Sequence, residues 1–408
     1  MQPWPKLEVP TLNFFAPAPV VYDSASETTH TLAVDREVKI YVCGITPYDA
    51  THMGHAATYV AFDTLIRLWR AAGADVTYAQ NVTDVDDPLI ERAQKTGRDW
   101  QDIAIEQTEL FKQDMIALRV IPPQHYIGAV ESIPLVVEQV NQLRKADCVY
   151  EIEGDLYYQI NRTAMLGSVA HLSRHDMIDL FSQRGGDPHK SEKQDPLDPL
   201  LWRHERPNDP AWDTELGSGR PGWHIECAAI AVHYLGSTID VQGGGSDLKF
   251  PHHEMSAAHA QSATGVVPFA RTFMHTGMVW LDGHKMSKSL GNLIFVSKLT
   301  AAGIDPMAIR LAILAHHYRE EWEWTTDGLD AANERLKLWR SAIETNNDSG
   351  AYADRLAQTL ANDLDTPKAL HLVDEWAHDT LAEAFAGDVN PENTNQMVLA
   401  IDALLGIK

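Results

Sequence analysis

The sequence predicts an α/β fold: a Rossmann-like nucleotide-binding catalytic domain, interrupted by an inserted α+β segment and followed by a C-terminal helical bundle. Three observations predict it. An apolar strand at 38–42 leads into a helix over about 56–72, and a second buried strand follows at 75–80, as in a strand–helix–strand unit. The pattern breaks at Ile121-Pro122-Pro123 and resumes near Trp223. Beyond about residue 303 the periodicity is helical throughout.

In order along the chain, Asn81-Val82-Thr83-Asp84 is the loop at the C-terminal end of the second strand, where parallel sheets place ligand groups. Helices are expected over 87–97 and 99–118. The inserted region reads as a helix near 129–145 and a hairpin of 148–152 with 156–160. A Gly/Pro/Asp-rich stretch then runs from Arg184-Gly185-Gly186-Asp187-Pro188 to Asp195-Pro196-Leu197-Asp198-Pro199. After a helix from Trp223 come a strand at 238–241, a helix after Pro251 and a strand at 271–275. The tail helices are expected at 305–315, 327–345, 351–362, 366–386 and 393–405. The expected domains are 1–118 with 215–302 as a split catalytic domain, 119–214 as an inserted connective segment, and 303–408 as the helical domain.

The 408 residues suffice for two or three domains with a sizeable core, and a net charge of -24 argues against a large phosphate-tracking surface. No basic, apolar leader and no membrane-length apolar run is present, and three scattered cysteines form no disulfide framework. A cytoplasmic monomer without nucleic-acid or membrane partners is expected.

Two segments some 230 residues apart carry the chemistry. Thr51-His52-Met53-Gly54-His55 opens the first helix, where ring and backbone N–H groups can approach phosphate oxygens. Lys285-Met286-Ser287-Lys288-Ser289 supplies two ammonium groups on a Ser/Gly-flanked loop, suited to a departing pyrophosphate. In this order the pair resembles the ATP signatures of class I aminoacyl-tRNA synthetases. Cys43 at the end of the first strand, Cys227 and His252 are suitable zinc ligands, although scattered Cys and His residues also serve as ordinary core or surface groups. Cys148 reads as a buried strand residue.

Tyr41-Val42-Cys43-Gly44, residues 219–227, Phe250-Pro251-His252-His253-Glu254 and residues 285–292 resemble cysteinyl-tRNA synthetases over about 36–300. That resemblance implies zinc on Cys43, Cys227 and His252, gripping the thiolate of substrate cysteine. Size alone discriminates serine by only about 1–3 kcal/mol, whereas a soft thiolate–zinc bond of about 2.3 Å does not form with a hydroxyl. Three features depart from the tRNA enzymes. Ser256 stands where that family has a fourth, glutamate ligand. The chain stops at Lys408, and residues 301–408 hold 8 Lys+Arg against 19 Asp+Glu, a poor surface for RNA. The loop 43–51 and Gln183-Arg184-Gly185-Gly186-Asp187-Pro188 are more similar to the cysteine ligases of mycothiol biosynthesis.

The ligase resemblance implies ATP-dependent activation of L-cysteine and transfer to the amine of 1D-myo-inosityl 2-amino-2-deoxy-α-D-glucopyranoside. It further implies catalytic roles for His52, His55, Lys285 and Lys288, with magnesium accompanying ATP. Gly44, Ile45, Thr46, Thr58, Asn81, Val82 and Thr83 would line the adenylate, and Trp223 the cysteinyl group unless it is a plain core tryptophan. Gly245, Ser246 and Asp247 would hold ribose or adenine, and the Val279 backbone the adenine edge. Asp49, Asp84 and Asp247 are candidates for the second-step base, or none is needed. A cysteinyl-tRNA synthetase and a non-enzymatic nucleotide- or metal-binding paralogue are the competing readings.

Overall fold

The computed structural model describes residues 1–49, 51–286, 292–345, 351–386 and 396–408, the side chain of Lys285 excepted. Five parallel strands form its central sheet: β1 Glu37–Val42, β2 Asp75–Val82, β3 His125–Gly128, β4 Ile239–Gly245 and β5 Ala270–Thr276. Their spatial order is β5-β4-β1-β2-β3. In β1 the alternation of Glu37, Val38, Lys39 and Ile40 gives way to Tyr41 and Val42, all four apolar positions being fully buried. Such a strand is open at its start and covered on both faces at its end. β2 pairs with β1 from Glu37↔Asp75 to Val42↔Gln80, and β4 takes the other side through Val241↔Ile40 to Gly243↔Val42. The chain therefore winds outward one way from β1 and later returns to its other flank. The crevice at the C-terminal ends of β1 and β4 is a topological switch point, where open α/β sheets bind ligands.

Helix α1, Met53–Ala71, starts three residues earlier than expected. The reason is capping: His52 is extended and its ring accepts from the His55 N–H at 3.4 Å, so the histidine motif is the first helical turn itself. β3 lies within the region expected to be inserted, yet its edge pairs with β2 from Ala79↔His125 to Val82↔Gly128. Its four residues are too short to register as a strand in the sequence. A separate antiparallel sheet is built from Val149–Ile152, Asp155–Tyr158, Leu200–His204, Gly217–Pro221 and Trp212–Thr214, in that spatial order, so that it runs past the expected end of the insertion at 214. The chain re-enters the core through α2, Trp223–Leu235, and reaches β5 through α3, Glu254–Thr264. Helices Pro306–Leu314, Thr326–Glu344, Tyr352–Ala361 and Thr366–Ala386 form the tail, close to expectation. No helix among the described residues is long and apolar enough to cross a membrane.

A buried ion cluster fastens this tail to the sheet. Asp63 on α1 binds Arg67 at 2.7 Å and also Arg310, and all three side chains are fully buried. Arg310 donates to the carbonyls of Leu405 at 2.7 Å and Leu118 at 2.8 Å, and Arg67 to those of Asp402 and Arg119. Burial alone would raise the Asp63 carboxyl, but the two guanidinium groups outweigh it and hold it below the usual value. Asp63→Ala leaves two buried cations uncompensated and should cost about 3–5 kcal/mol in urea unfolding. Because the folded carboxyl is depressed, its contribution is complete above an unfolded value of about 4 and disappears as pH falls through the lower folded one. Wild-type and Asp63→Ala stabilities should therefore converge in strong acid.

Candidate active site and metal centre

Three segments meet at the switch point. Cys43 follows β1, Cys227 lies on α2, and His252 sits in the turn Lys249–His253 that feeds α3. Their ligand atoms all lie within 4.8 Å of one another and all three residues are buried. His252 Nε2 is 3.2 Å from Cys227 Sγ, while its Nδ1 is 3.0 Å from His224 Nδ1. The Trp223 ring stacks on His252 at 4.4 Å. His253 faces Cys43, with Nε2 at 3.2 Å from the sulfur, and continues through His275 at 2.8 Å to the Ser24 hydroxyl at 2.8 Å. Burial pushes His224, His253 and His275 well down and His259 to about 3, so these rings are neutral.

The two thiols divide. Burial raises Cys43, and its neighbour Cys227 raises it further. Burial also opposes ionisation of Cys227, but hydrogen bonding with Cys43 and the His252 imidazole outweigh it and hold this thiol well down. Two cysteine sulfurs and an oriented imidazole form a soft donor set, which fits a borderline divalent ion such as zinc. Ser256 does not extend the set: its hydroxyl donates to the His224 carbonyl at 3.1 Å.

Of the residues expected around ATP, Gly44, Ile45, Asn81 and Thr83 share one hydrogen-bonded rim. The Gly44 N–H donates to Asn81 Oδ1 at 2.7 Å, Asn81 Nδ2 to Thr83 Oγ1 at 3.1 Å, and the Thr83 N–H to the Ile45 carbonyl at 3.0 Å. The Thr46 carbonyl accepts from the Tyr48 N–H at 2.9 Å, and Val82 ends β2. Across the crevice Thr58 Oγ1 meets Thr276 Oγ1 at 2.9 Å, and Gly245 ends β4 before the turn Ser246–Leu248 with Asp247. Val279 opens a short strand, Val279–Leu281, its carbonyl accepting from the Met286 N–H at 3.2 Å. The His52 and His55 rings stack at 3.7 Å. Met53 N–H to Ile294 O at 2.8 Å and Val296 N–H to Thr51 O at 3.1 Å bring the stretch after the lysine signature against this helix start. Lys285 pairs its backbone with Trp280, its side chain lying outside the described residues together with all of Lys288.

Sequence reasoning did not assign His224, His253 or His275. The His252-His253 pair and the histidine beside Trp223 were visible. His275 and Ser24 come from a distant strand and an N-terminal loop, so only tertiary structure places them.

Fold and site define a class I synthetase catalytic core in an ATP-dependent ligase. Residues 29–334 match the family model described as tRNA synthetases class I (C) catalytic domain. The L-cysteine:1D-myo-inositol 2-amino-2-deoxy-alpha-D-glucopyranoside ligases of Thermomonospora curvata, Kribbella flavida and Streptomyces coelicolor are 53%, 56% and 52% identical to the chain, with all of each chain covered. Mycobacterium tuberculosis methionyl-tRNA synthetase in complex with methionyl-adenylate superimposes with a TM-score of 0.63 at 15% identity, covering 91% of this chain and 88% of that one. The Agrobacterium radiobacter K84 LeuRS of a ternary complex gives 0.61 at 12%, covering 91% and 83%. These two likenesses concern the fold. The chain belongs to the class I aminoacyl-tRNA synthetase family, in its group of L-cysteine:1D-myo-inositol 2-amino-2-deoxy-alpha-D-glucopyranoside ligases.

Gly44 supplies a test of the rim. A Cβ there would lie 1.7 Å from the Asn81 carbonyl oxygen, a backbone atom that cannot swing aside. Gly44→Ala should lower stability by about 1–3 kcal/mol, measured as a shift in the denaturation midpoint.

Proposed function

We propose that the chain activates L-cysteine with ATP and passes the cysteinyl group to the amine of 1D-myo-inosityl 2-amino-2-deoxy-α-D-glucopyranoside. The cysteine carboxylate attacks the α-phosphorus, and pyrophosphate leaves. The acceptor amine then attacks the acyl carbon, the C–N bond forms, and AMP departs with the electrons of the acyl–oxygen bond. The observation that carries this reading is the buried Cys43–Cys227–His252 cluster at the switch point of a chain matched end to end by ligases of that name.

In this reading Cys43, Cys227 and His252 hold zinc. Bound zinc supplies a soft partner for the substrate thiol that a serine hydroxyl cannot match. His52 and His55 donate to ATP phosphates from the start of α1, and Lys285 and Lys288 neutralise charge growing on the leaving pyrophosphate. Magnesium accompanies ATP. The rim from Gly44 to Thr46 and from Asn81 to Thr83, with Thr58, lines the adenylate. Trp223, stacked on His252, packs beside the cysteinyl group. Gly245, Ser246 and Asp247 receive the ribose or adenine, with the Val279 backbone along the adenine edge. The enzyme works as a monomer, and residues 119–214, apart from β3, form the connective segment.

A paired assay decides the acceptor. With ATP and cysteine, AMP release should accompany amide formation with the amino-sugar pseudodisaccharide, with negligible charging of tRNA. Efficient tRNA charging without amino-sugar turnover would reject the proposal and favour a cysteinyl-tRNA synthetase.

Metal analysis gives an independent check. The purified protein should hold about one zinc per chain, and Cys43→Ala or Cys227→Ala should lose both zinc and cysteine-dependent pyrophosphate exchange. Full zinc retention in both variants would exclude the site.

A further inference from the structure

A cavity of about 800 Å³ opens between the switch point and the inserted segment. Its inner wall includes Thr46, Trp223 and His224, and the last two bear on His252 through ring stacking at 4.4 Å and a 3.0 Å contact. Its outer wall comes from the insertion, including the turn Gln183-Arg184-Gly185-Gly186-Asp187, whose role the sequence left unassigned. A molecule filling it therefore lies beside a cysteinyl group placed between the metal cluster and the nucleotide rim.

The charges lining the cavity are largely committed to one another. Asp87 binds Arg203 at 2.9 Å and also Arg220; Asp155 binds Lys190 at 2.7 Å and Arg206 at 2.9 Å; Asp187 binds Lys193 at 2.9 Å. Arg184 spends its guanidinium on the carbonyls of Asp247 and Phe250. Asp86 differs. It lines the same cavity, accepts the Asp87 N–H at 2.8 Å as the cap of helix Asp87–Thr96, and has no salt-bridge partner among the described residues. A desolvated carboxylate without a cation is costly unless a ligand supplies one.

Resting on the proposed function, we infer that this cavity is the acceptor subsite and that Asp86 binds the acceptor's amino group and takes its proton. The substrate class is a neutral polyol bearing one amine, whose positive charge complements the Asp86 carboxylate in this cavity. An amine bound as its cation cannot attack, so a proton must leave first. It passes to the Asp86 carboxylate, the freed nitrogen pair forms the C–N bond, and AMP leaves with the electrons of the broken acyl–oxygen bond, its departing phosphate oxygen taking the second proton that the nitrogen sheds. Burial raises the Asp86 carboxyl to about 6; the Asp87 N–H that it accepts opposes the rise, the Asp87 charge adds to it, and Arg220 and His252 oppose it; Glu226 and Tyr48 also face this group. A carboxylate raised in this way is a better proton acceptor than an ordinary one.

Asp86→Asn tests the assignment cleanly, because asparagine caps a helix as well as aspartate does and only the charge is lost. The variant should raise KM for the amino sugar about 10-fold or more and lower kcat, as expected for loss of a charge-assisted contact. Cysteine-dependent pyrophosphate exchange should stay within about 3-fold, since that half-reaction has no acceptor. Asp86→Glu should recover part of the loss. The hydroxyl analogue of the acceptor, lacking the amine, should inhibit wild type and Asp86→Asn equally, whereas the amino sugar should distinguish them. Unchanged amino-sugar kinetics in Asp86→Asn, or equal losses in exchange and transfer, would overturn the role of Asp86 while wild-type turnover left the proposed function standing. No amino-sugar turnover by the wild type would overturn both.

Discussion

The site depends on the pairing of β1 with β4. A single backbone bond beyond the last strand residue, Cys43 N–H to Gly243 O at 3.0 Å, holds the first cysteine against a strand that enters the sheet some 200 residues later. β4 can close in this way because it ends in three glycines. A Cβ on Gly243 would sit 2.3 Å from the Phe62 ring, and one on Gly244 would sit 2.8 Å from Leu248 and 3.1 Å from the His253 ring. Removing those side chains lets α1 press on one face of the strand and the His252-His253 turn approach the other. With β4 fixed, the direction of α3 and the position of His252 follow. α2 is drawn over the same edge and delivers Cys227.

The Asp63 cluster does comparable work on the other side of α1. Arg67 and Arg310 satisfy carbonyls at Arg119, Leu118, Asp402 and Leu405, the ends of segments that would otherwise carry buried unpaired acceptors. α1 thus presents His52 and His55 to the crevice at its N-terminus while its middle is bolted to the tail. The start of α1 is in turn bonded to the Ile294–Val296 segment, through Met53 N–H to Ile294 O and Val296 N–H to Thr51 O.

Most helices were legible because apolar residues recur at helical spacing over ten or more positions, as in Thr326–Glu344 and Thr366–Ala386. Strands with buried apolar runs were legible too, β1 and β2 among them. What escaped was short or polar. β3 has four residues, and the strands Trp212–Thr214 and Gly217–Pro221 carry turn-forming types that acquire strand geometry only by pairing. Helix Arg174–Gln183 is mostly polar, although its Ser173 cap, accepting the Asp176 N–H at 3.2 Å, is a local signal that could have revealed it. At the site, the cysteines and His252 stood out by residue type. The chain from Cys43 through His253 and His275 to Ser24 did not, since none of its links is local.

The insertion is tied to the catalytic edge by polar bonds rather than by a shared apolar core alone. Arg184 reaches the carbonyls of Asp247 and Phe250, on either side of the turn that leads to His252. Glu254, two residues after that histidine, accepts the N–H groups of Gly167 at 2.7 Å, Val169 at 2.9 Å and Ala170 at 2.8 Å. One end of this short stretch is thus held by an insertion side chain and the other by insertion backbone. Two such anchors flank His252 and join the cavity wall to the metal-side wall. A preorganised pocket of this kind loses little entropy on filling, which suits a small rigid polyol. Recognition of a large RNA instead rests on broad basic surfaces, and residues 301–408 hold 8 Lys+Arg against 19 Asp+Glu.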